Sequence, residues 1–178
     1  MKIAILGAEC TGKTTLAHAL ATALDGCGGR AAWVSETLRD WCRHNGRTPQ
    51  AHEQRAIALA QAARIDRAAA VAWLLVDTTP LMTAVYSDLL FQDISLYPFA
   101  LAHHACFDLT LMTKLDLPWV PDGLQRDGPQ AQRAVDAKKD VIYIGEDFKG
   151  IEYQMSNCCN PIPGDKVFGF ITINQGIK

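Results

Sequence analysis

The stretch Gly7-Ala8-Glu9-Cys10-Thr11-Gly12-Lys13-Thr14 stands directly after the apolar run Lys2-Ile3-Ala4-Ile5-Leu6 and directly before a segment of helical spacing. It fits the pattern G-x-x-x-x-G-K-[ST] in the order strand, loop, helix that this pattern needs. Glycines let such a loop curl until successive backbone N–H groups point inward, and the following helix adds the partial positive charge of its N-terminus. The result is a nest for the phosphates of a nucleotide, ATP or GTP. Lys13 is expected to reach the β- and γ-phosphates, and the Thr14 hydroxyl to ligate Mg2+. The nucleotide-binding residues are then Gly7, Glu9, Cys10, Thr11, Gly12, Lys13, Thr14 and Thr15.

Further strand-like runs at residues 31–35, 73–76 and 107–112 are separated by helical patterns at 13–25, 36–44, 49–70 and 80–90, with a polar helical stretch at 128–137. Strands alternating with helices imply right-handed crossovers, so the fold class is α/β, a P-loop NTPase with a mainly parallel sheet flanked by helices. Ligands of such sheets lie beyond the carboxyl ends of the strands. Glu36, Asp77 and Asp116 each follow an expected strand and are placed to face one crevice.

Composition narrows the function. The 178 residues are 49% apolar and 20% charged, enough for one packed domain with at most a short appendage. A net charge of −2 gives no general attraction for nucleic acid or an anionic membrane, so an anionic ligand needs a local device. No apolar run has the length of a membrane span, and Met1-Lys2 leads into a strand-like run rather than a signal segment. The expected setting is cytoplasmic, with the six cysteines reduced.

Usage changes abruptly near residue 137. Residues 1–137 hold all 25 alanines with nine Arg and three Lys, whereas residues 138–178 hold no Ala, no Arg and five Lys. This reads as a join between a P-loop kinase or ATPase domain at 1–137 and a short β-rich appendage at 138–178. The apolar run Val141-Ile142-Tyr143-Ile144 is expected to add a strand to the first domain's sheet, with residues 158–178 forming a small hairpin.

Several residues are candidates for the chemistry. Asp77 closes an apolar strand, where an acidic residue positions Mg2+ or takes a proton from an attacking hydroxyl, and where it can equally cap the helix at Thr78-Thr79-Pro80. Glu36 and Arg39, one helical turn apart, suit a ribose or phosphate contact or a surface pair. Arg126 and Arg133 fall where small P-loop kinases carry a mobile basic lid, or are solvated. Tyr86 and Trp119 can stack on a flat ring or pack in the core. The five histidines lack metal-ligand spacing and read as packed or surface residues.

Val76 to Ser87 and Leu117 to Arg126, taken with Gly7 to Thr15 and Ser35 to Trp41, resemble the nicotinamide-riboside kinase domain of NadR-type proteins and the AAA-type ATPase domain grouped with it. The resemblance covers residues 1 to about 137. It implies transfer of the γ-phosphoryl of ATP to the 5′-hydroxyl of nicotinamide riboside, with Lys13, Asp77 and Arg126 catalytic and Thr14 and Asp77 at the metal. It further implies riboside contacts from Glu36 and Arg39, nicotinamide stacking on Trp119 and a lid holding Arg126. Gln92 departs from the Phe-Gly-Asp expected at 91–93, and the family's last strand and helix are absent. Met155 to Asp165 and Val167 to Thr172 resemble the zinc-finger-like region of RelA/SpoT-type alarmone synthetases, which is associated with ribosomal RNA contact. Cys158-Cys159 lacks a later His or Cys and is expected to hold no zinc. The alternative to a kinase is a non-catalytic nucleotide switch, or an inactive chimeric remnant with an interaction tail.

Overall fold

The computed structural model describes residues 1–120, 128–144, 171–172 and 176–177. Arg126 and the Cys158-Cys159 pair lie outside them. Four parallel strands, β1 (Lys2–Leu6), β2 (Ala31–Val34), β3 (Trp73–Asp77) and β4 (Leu109–Met112), lie side by side in the order β2-β3-β1-β4. Ile5 pairs with Asp77 and Leu6 with Met112, so the strands end level and the loops after them share one rim. Strand β1 is the central one. Because it is covered on both faces, its sequence is a continuous apolar run rather than an alternation.

Helix α1 (Lys13–Gly26) covers one face, laying Ala17 and Ala21 on Ile3, Ile5 and Leu75. The small alanines allow the helix to sit close, while Leu16, on the same expected stripe, stays exposed. The other face carries α2 (Thr37–Asn45), α3 (Gln54–Ala68), α4 (Pro80–Phe91), α5 (Tyr97–His104) and α6 (Pro129–Ile144). There Ala4, Leu6, Leu74 and Val76 meet Ile65, Leu81, Met82, Val85, Phe107 and Val135 in the larger core cluster. Helix α5 has no counterpart among the sequence expectations; eight residues are too few for periodicity to stand out.

The Thr79 hydroxyl accepts the Leu81 N–H at 3.3 Å, with Pro80 in the first turn. Thr79 therefore caps α4, and Asp77 is left for other work. His104 lies behind this cap, its ring nitrogens 3.3 Å from Thr79 Oγ1 and 3.0 Å from Thr110 Oγ1, and it stacks on Phe107. Burial, aided by the neighbouring His103, pulls its pKa from 6.5 to about 4, so it works as a neutral bridge.

One expectation about the tail is corrected. Val141 to Ile144 is the last turn of α6 and forms no strand. The helix is already nucleated from Pro129, and extending it by a turn gains backbone hydrogen bonds that outweigh the modest β preference of these residue types. The sheet edge is met instead by β5 (Ile171–Thr172), antiparallel to β4 through Thr110 and Ile171, and β6 (Gly176–Ile177) pairs back on β5. Helix α6 runs unbroken through position 137. Lys138 Nζ lies 2.8 Å from Asp88 Oδ2 on α4, and that oxygen also accepts the Tyr97 hydroxyl at 2.9 Å.

Candidate functional site

The loop between β1 and α1 has the backbone that its glycines permit. Gly7 adopts φ 150, and a Cβ there would overlap Thr113 Oγ1; Gly12 adopts φ 77. Helix α1 begins at Gly12 with no side-chain cap, which leaves its first N–H groups to a ligand. Thr11 Oγ1 donates to the Ala8 carbonyl at 2.8 Å and receives Thr113 Oγ1 at 2.6 Å, fixing the loop to the end of β4.

Lys13 Nζ donates to the Ala8 carbonyl at 2.6 Å, folded across the nest. Burial pushes its pKa down, against the pull of Glu36 and Asp77. Thr14 Oγ1 donates to Asp77 Oδ2 at 2.5 Å. Asp77 is 1% exposed, and its other oxygen, Oδ1, is buried without a hydrogen-bond partner among the described residues. An orphaned carboxylate oxygen beside a hydroxyl, at the foot of a phosphate nest, is the donor chemistry that a hard cation takes. The residues present therefore fit Mg2+, held by Thr14 and Asp77 directly or through water. Among the described residues no cluster of three His, Cys, Asp or Glu offers another metal site.

A cavity of about 590 Å3 opens at the strands' carboxyl rim. One end is the loop from Gly7 to Thr15. The other is walled by Glu36, Leu38, Arg39 and Cys42 of the β2–α2 region, Gln54, Ile57 and Gln61 of α3, and Met82, Thr83, Tyr86, Leu90 and Phe91 of α4. The structure thus brings Glu36, Arg39 and Tyr86 to one chamber with the loop. Glu36 and Arg39 stand 3.9 Å apart with side chains 18% and 30% exposed, turned partly inward rather than set on the open surface.

Other expectations fare differently. Asp116 is exposed and does not line the cavity, because three residues separate it from the end of β4. Trp119 Nε1 donates to Glu9 Oε1 of the loop at 3.1 Å, and Trp119 is not among the cavity's walls. From α6, Gln132 Nε2 donates to the Glu9 carbonyl at 2.7 Å. Arg133 is exposed. Gln54, Gln61 and Thr78 were not anticipated. The two glutamines were visible in principle, since they interrupt the buried stripe of Ile57, Ala58, Ala62 and Ile65 at helical spacing. Thr78, with φ 71, gave no signal, since threonine rarely takes that conformation.

Comparison with known proteins agrees with this geometry. The fold is similar to that of a NadR protein in complex with NR, at 19% identity and TM-score 0.63, over 81% of this chain and 41% of that one. It is similar to a NadR protein in complex with NAD and AMP-PNP, at 18% identity and TM-score 0.62, with the same coverage. A third likeness is deoxyadenosine kinase from M. mycoides with the products dCMP and a flexible dCDP, at 15% identity and TM-score 0.56, over 81% of this chain and 84% of that one. This chain spans about two-fifths of the length of those NadR chains. The tail, residues 143–178, matches the model of the RelA/SpoT RIS domain. Residues 2–153 match the model of the AAA domain, and with most of its length inside that match the chain belongs to the AAA domain family.

Proposed function

We propose that this chain binds ATP with Mg2+ on the loop Gly7 to Thr15 and transfers the γ-phosphoryl group to a hydroxyl of a nucleoside, nicotinamide riboside being the first acceptor to test. The observation that carries the reading is the single cavity shared by the phosphate loop and the wall of Glu36, Arg39, Gln54 and Tyr86. A nucleotide switch needs the nest alone, whereas group transfer needs a second chamber opening onto it. The NR complex of the NadR likeness and the nucleotide products of the deoxyadenosine kinase support a small nucleoside-like acceptor.

In this reading Lys13 leaves the Ala8 carbonyl for the phosphates. Glu36, which lines the cavity, takes the proton of the acceptor hydroxyl. Asp77, outside the cavity wall and bonded to Thr14, serves the cation. Mg2+ held there supplies positive charge to the β- and γ-phosphate oxygens as charge develops on them. Arg39 and Tyr86 orient the acceptor, and Arg126 belongs to the lid. A kinase unit at residues 1–137, an appended segment at 138–178 and a cytoplasmic setting complete the proposal; among the described residues no helix is long and apolar enough to cross a membrane.

The test is a coupled ADP-release assay with nicotinamide riboside and a panel of other nucleosides. ADP release that depends on one acceptor is expected; release indifferent to every acceptor overturns the reading. One observation favours the second reading, a nucleotide switch. Helix α6 touches the loop through Gln132 and runs on toward the RIS-like tail. ATP binding without transfer, accompanied by altered proteolysis of the tail, would be its signature.

A further inference from the structure

Gln61 lies in the middle of α3, is 2% exposed, and bridges two backbones that belong to different walls of the site. Its Oε1 accepts the Thr37 N–H at 2.7 Å, and its Nε2 donates to the Thr78 carbonyl at 2.9 Å. The amide's orientation is fixed by its partners, since a flip would set donor against donor and acceptor against acceptor. Thr37 follows Glu36. Thr78 follows Asp77 and holds φ 71, a left-handed conformation that a β-branched side chain avoids. Among the described residues its buried hydroxyl has no hydrogen-bond partner, so the side chain does not anchor it. The strain is sustained from outside, by the Thr78 N–H on the Ile5 carbonyl at 3.1 Å and by Gln61 on the Thr78 carbonyl.

We infer that Gln61 is a positioning residue that holds the acceptor-side carboxylate Glu36 and the cation-side carboxylate Asp77 in fixed relation across the cavity. The inference rests on the transfer reading for its catalytic readout. A carboxamide suits the task because one rigid plane carries an acceptor and a donor of opposite sense. It is also uncharged, so it links the two carboxylates without biasing either one's charge.

Two variants test this. Gln61→Met keeps length and removes both bonds, leaving a buried N–H and a buried carbonyl unsatisfied at the two places named. It is expected to cut kcat by on the order of 10²-fold, the scale of small misplacements of reacting groups, while Mg2+-free affinity for ATP stays within about twofold. Gln61→Glu still accepts from Thr37 but donates to the Thr78 carbonyl only when protonated. Its turnover relative to wild type at the same pH is therefore expected to rise as pH falls, which a merely structural role would not produce. A third readout needs no turnover: Mg2+ should strengthen binding of a fluorescent ATP analogue less in Gln61→Met than in wild type, while Mg2+-free binding is equal.

Wild-type kcat in Gln61→Met, a loss matching only its unfolded fraction, or a flat pH ratio for Gln61→Glu would overturn the inference. If wild type phosphorylates no nucleoside, the kinase reading fails, and the binding measurement decides alone. A weakened Mg2+ effect then supports the positioning role, and an unchanged one removes it.

Discussion

At the phosphate end of the cavity one continuous stretch, Gly7 to Thr15, supplies the lining, whereas at the far end Glu36, Arg39, Gln54 and Tyr86 arrive from three separate helical regions. The first end depends on backbone conformation, which two glycines set locally. The second depends on side chains whose places are fixed by long-range bonds, such as those of Gln61 to Thr37 and Thr78. A ligand common to many proteins can thus be read by main-chain groups, while the proposed acceptor would be distinguished by side chains. The two ends should therefore fail differently.

The largest expected effect is at the phosphate end. Lys13→Ala should abolish measurable binding of a fluorescent ATP analogue, because the ammonium supplies the charge-assisted contacts to the phosphates. It should not unfold the protein: Lys13 is held at a cost in burial and, among the described residues, its ammonium bonds only the Ala8 carbonyl in this state. A variant with native circular dichroism and wild-type affinity would break the phosphate-loop assignment. Asp77→Asn should separate the two ends. Turnover should fall by on the order of 10²-fold with Mg2+-free ATP affinity nearly intact, since the electrostatics of the cation act mainly in the transition state. Unchanged turnover would leave Asp77 as a partner for Thr14 and nothing more.

This contrast also explains what could be read from the residues alone. The loop, the four parallel strands and most helices were legible because each is encoded by contiguous residues: a glycine pattern, an apolar run, a 3.6-residue spacing. Glu36, Arg39 and Tyr86 were found through strand ends and family resemblance, and the structure does bring them to one chamber. Trp119 could be placed near the loop but not on a partner, because an aromatic residue there can serve either face of it; its indole bonds Glu9, and it is not among the cavity's walls. The run Val141 to Ile144 was misleading for another reason: its side chains favour a strand, but it inherits a helix begun twelve residues earlier at Pro129. Gln61 was visible as a break in the buried stripe of α3, but its role was not, since its partners are backbone groups 24 and 17 positions away.

Acid should act on the two ends unequally. His104 is buried, and its pKa of about 4 lies below the ordinary 6.5, so between these values the unfolded chain takes up a proton that the folded chain refuses. Stability is complete above pH 6.5 and falls as pH drops toward 4, by on the order of 3 kcal/mol. Glu53, whose carboxyl is held down to about 2 by Arg47, gives up its share only below 4.5 and so stays out of a comparison between pH 7 and pH 5. His104 supports Thr79 at the head of α4, so the acceptor and cation side should loosen first. Denaturant melts at pH 7 and pH 5 measure the loss, and His104→Gln should flatten the difference. An undiminished difference in that variant would assign it elsewhere.

The smallest effect concerns the wall that α4 gives to the acceptor end. Gln92 terminates the helix with φ 57, its N–H on the Asp88 carbonyl at 2.9 Å, in a left-handed conformation for which glycine is the usual residue. The resembled family pattern has glycine at this position. The side chain is exposed, so Gln92→Gly gives up little packing and relieves backbone strain of about 1–2 kcal/mol. Glycine's greater freedom in the unfolded chain returns about half of that, leaving a net gain of about 0.5–1 kcal/mol. The melting temperature should rise by about 1–3 °C. Because Leu90 and Phe91 just before it line the cavity, a stiffer end to α4 should change the acceptor's KM and leave that of ATP alone. If the variant melts lower, Gln92 is anchoring the helix end through its side chain; if both KM values move together, the two ends are coupled through α4 and are not the separable halves contrasted above.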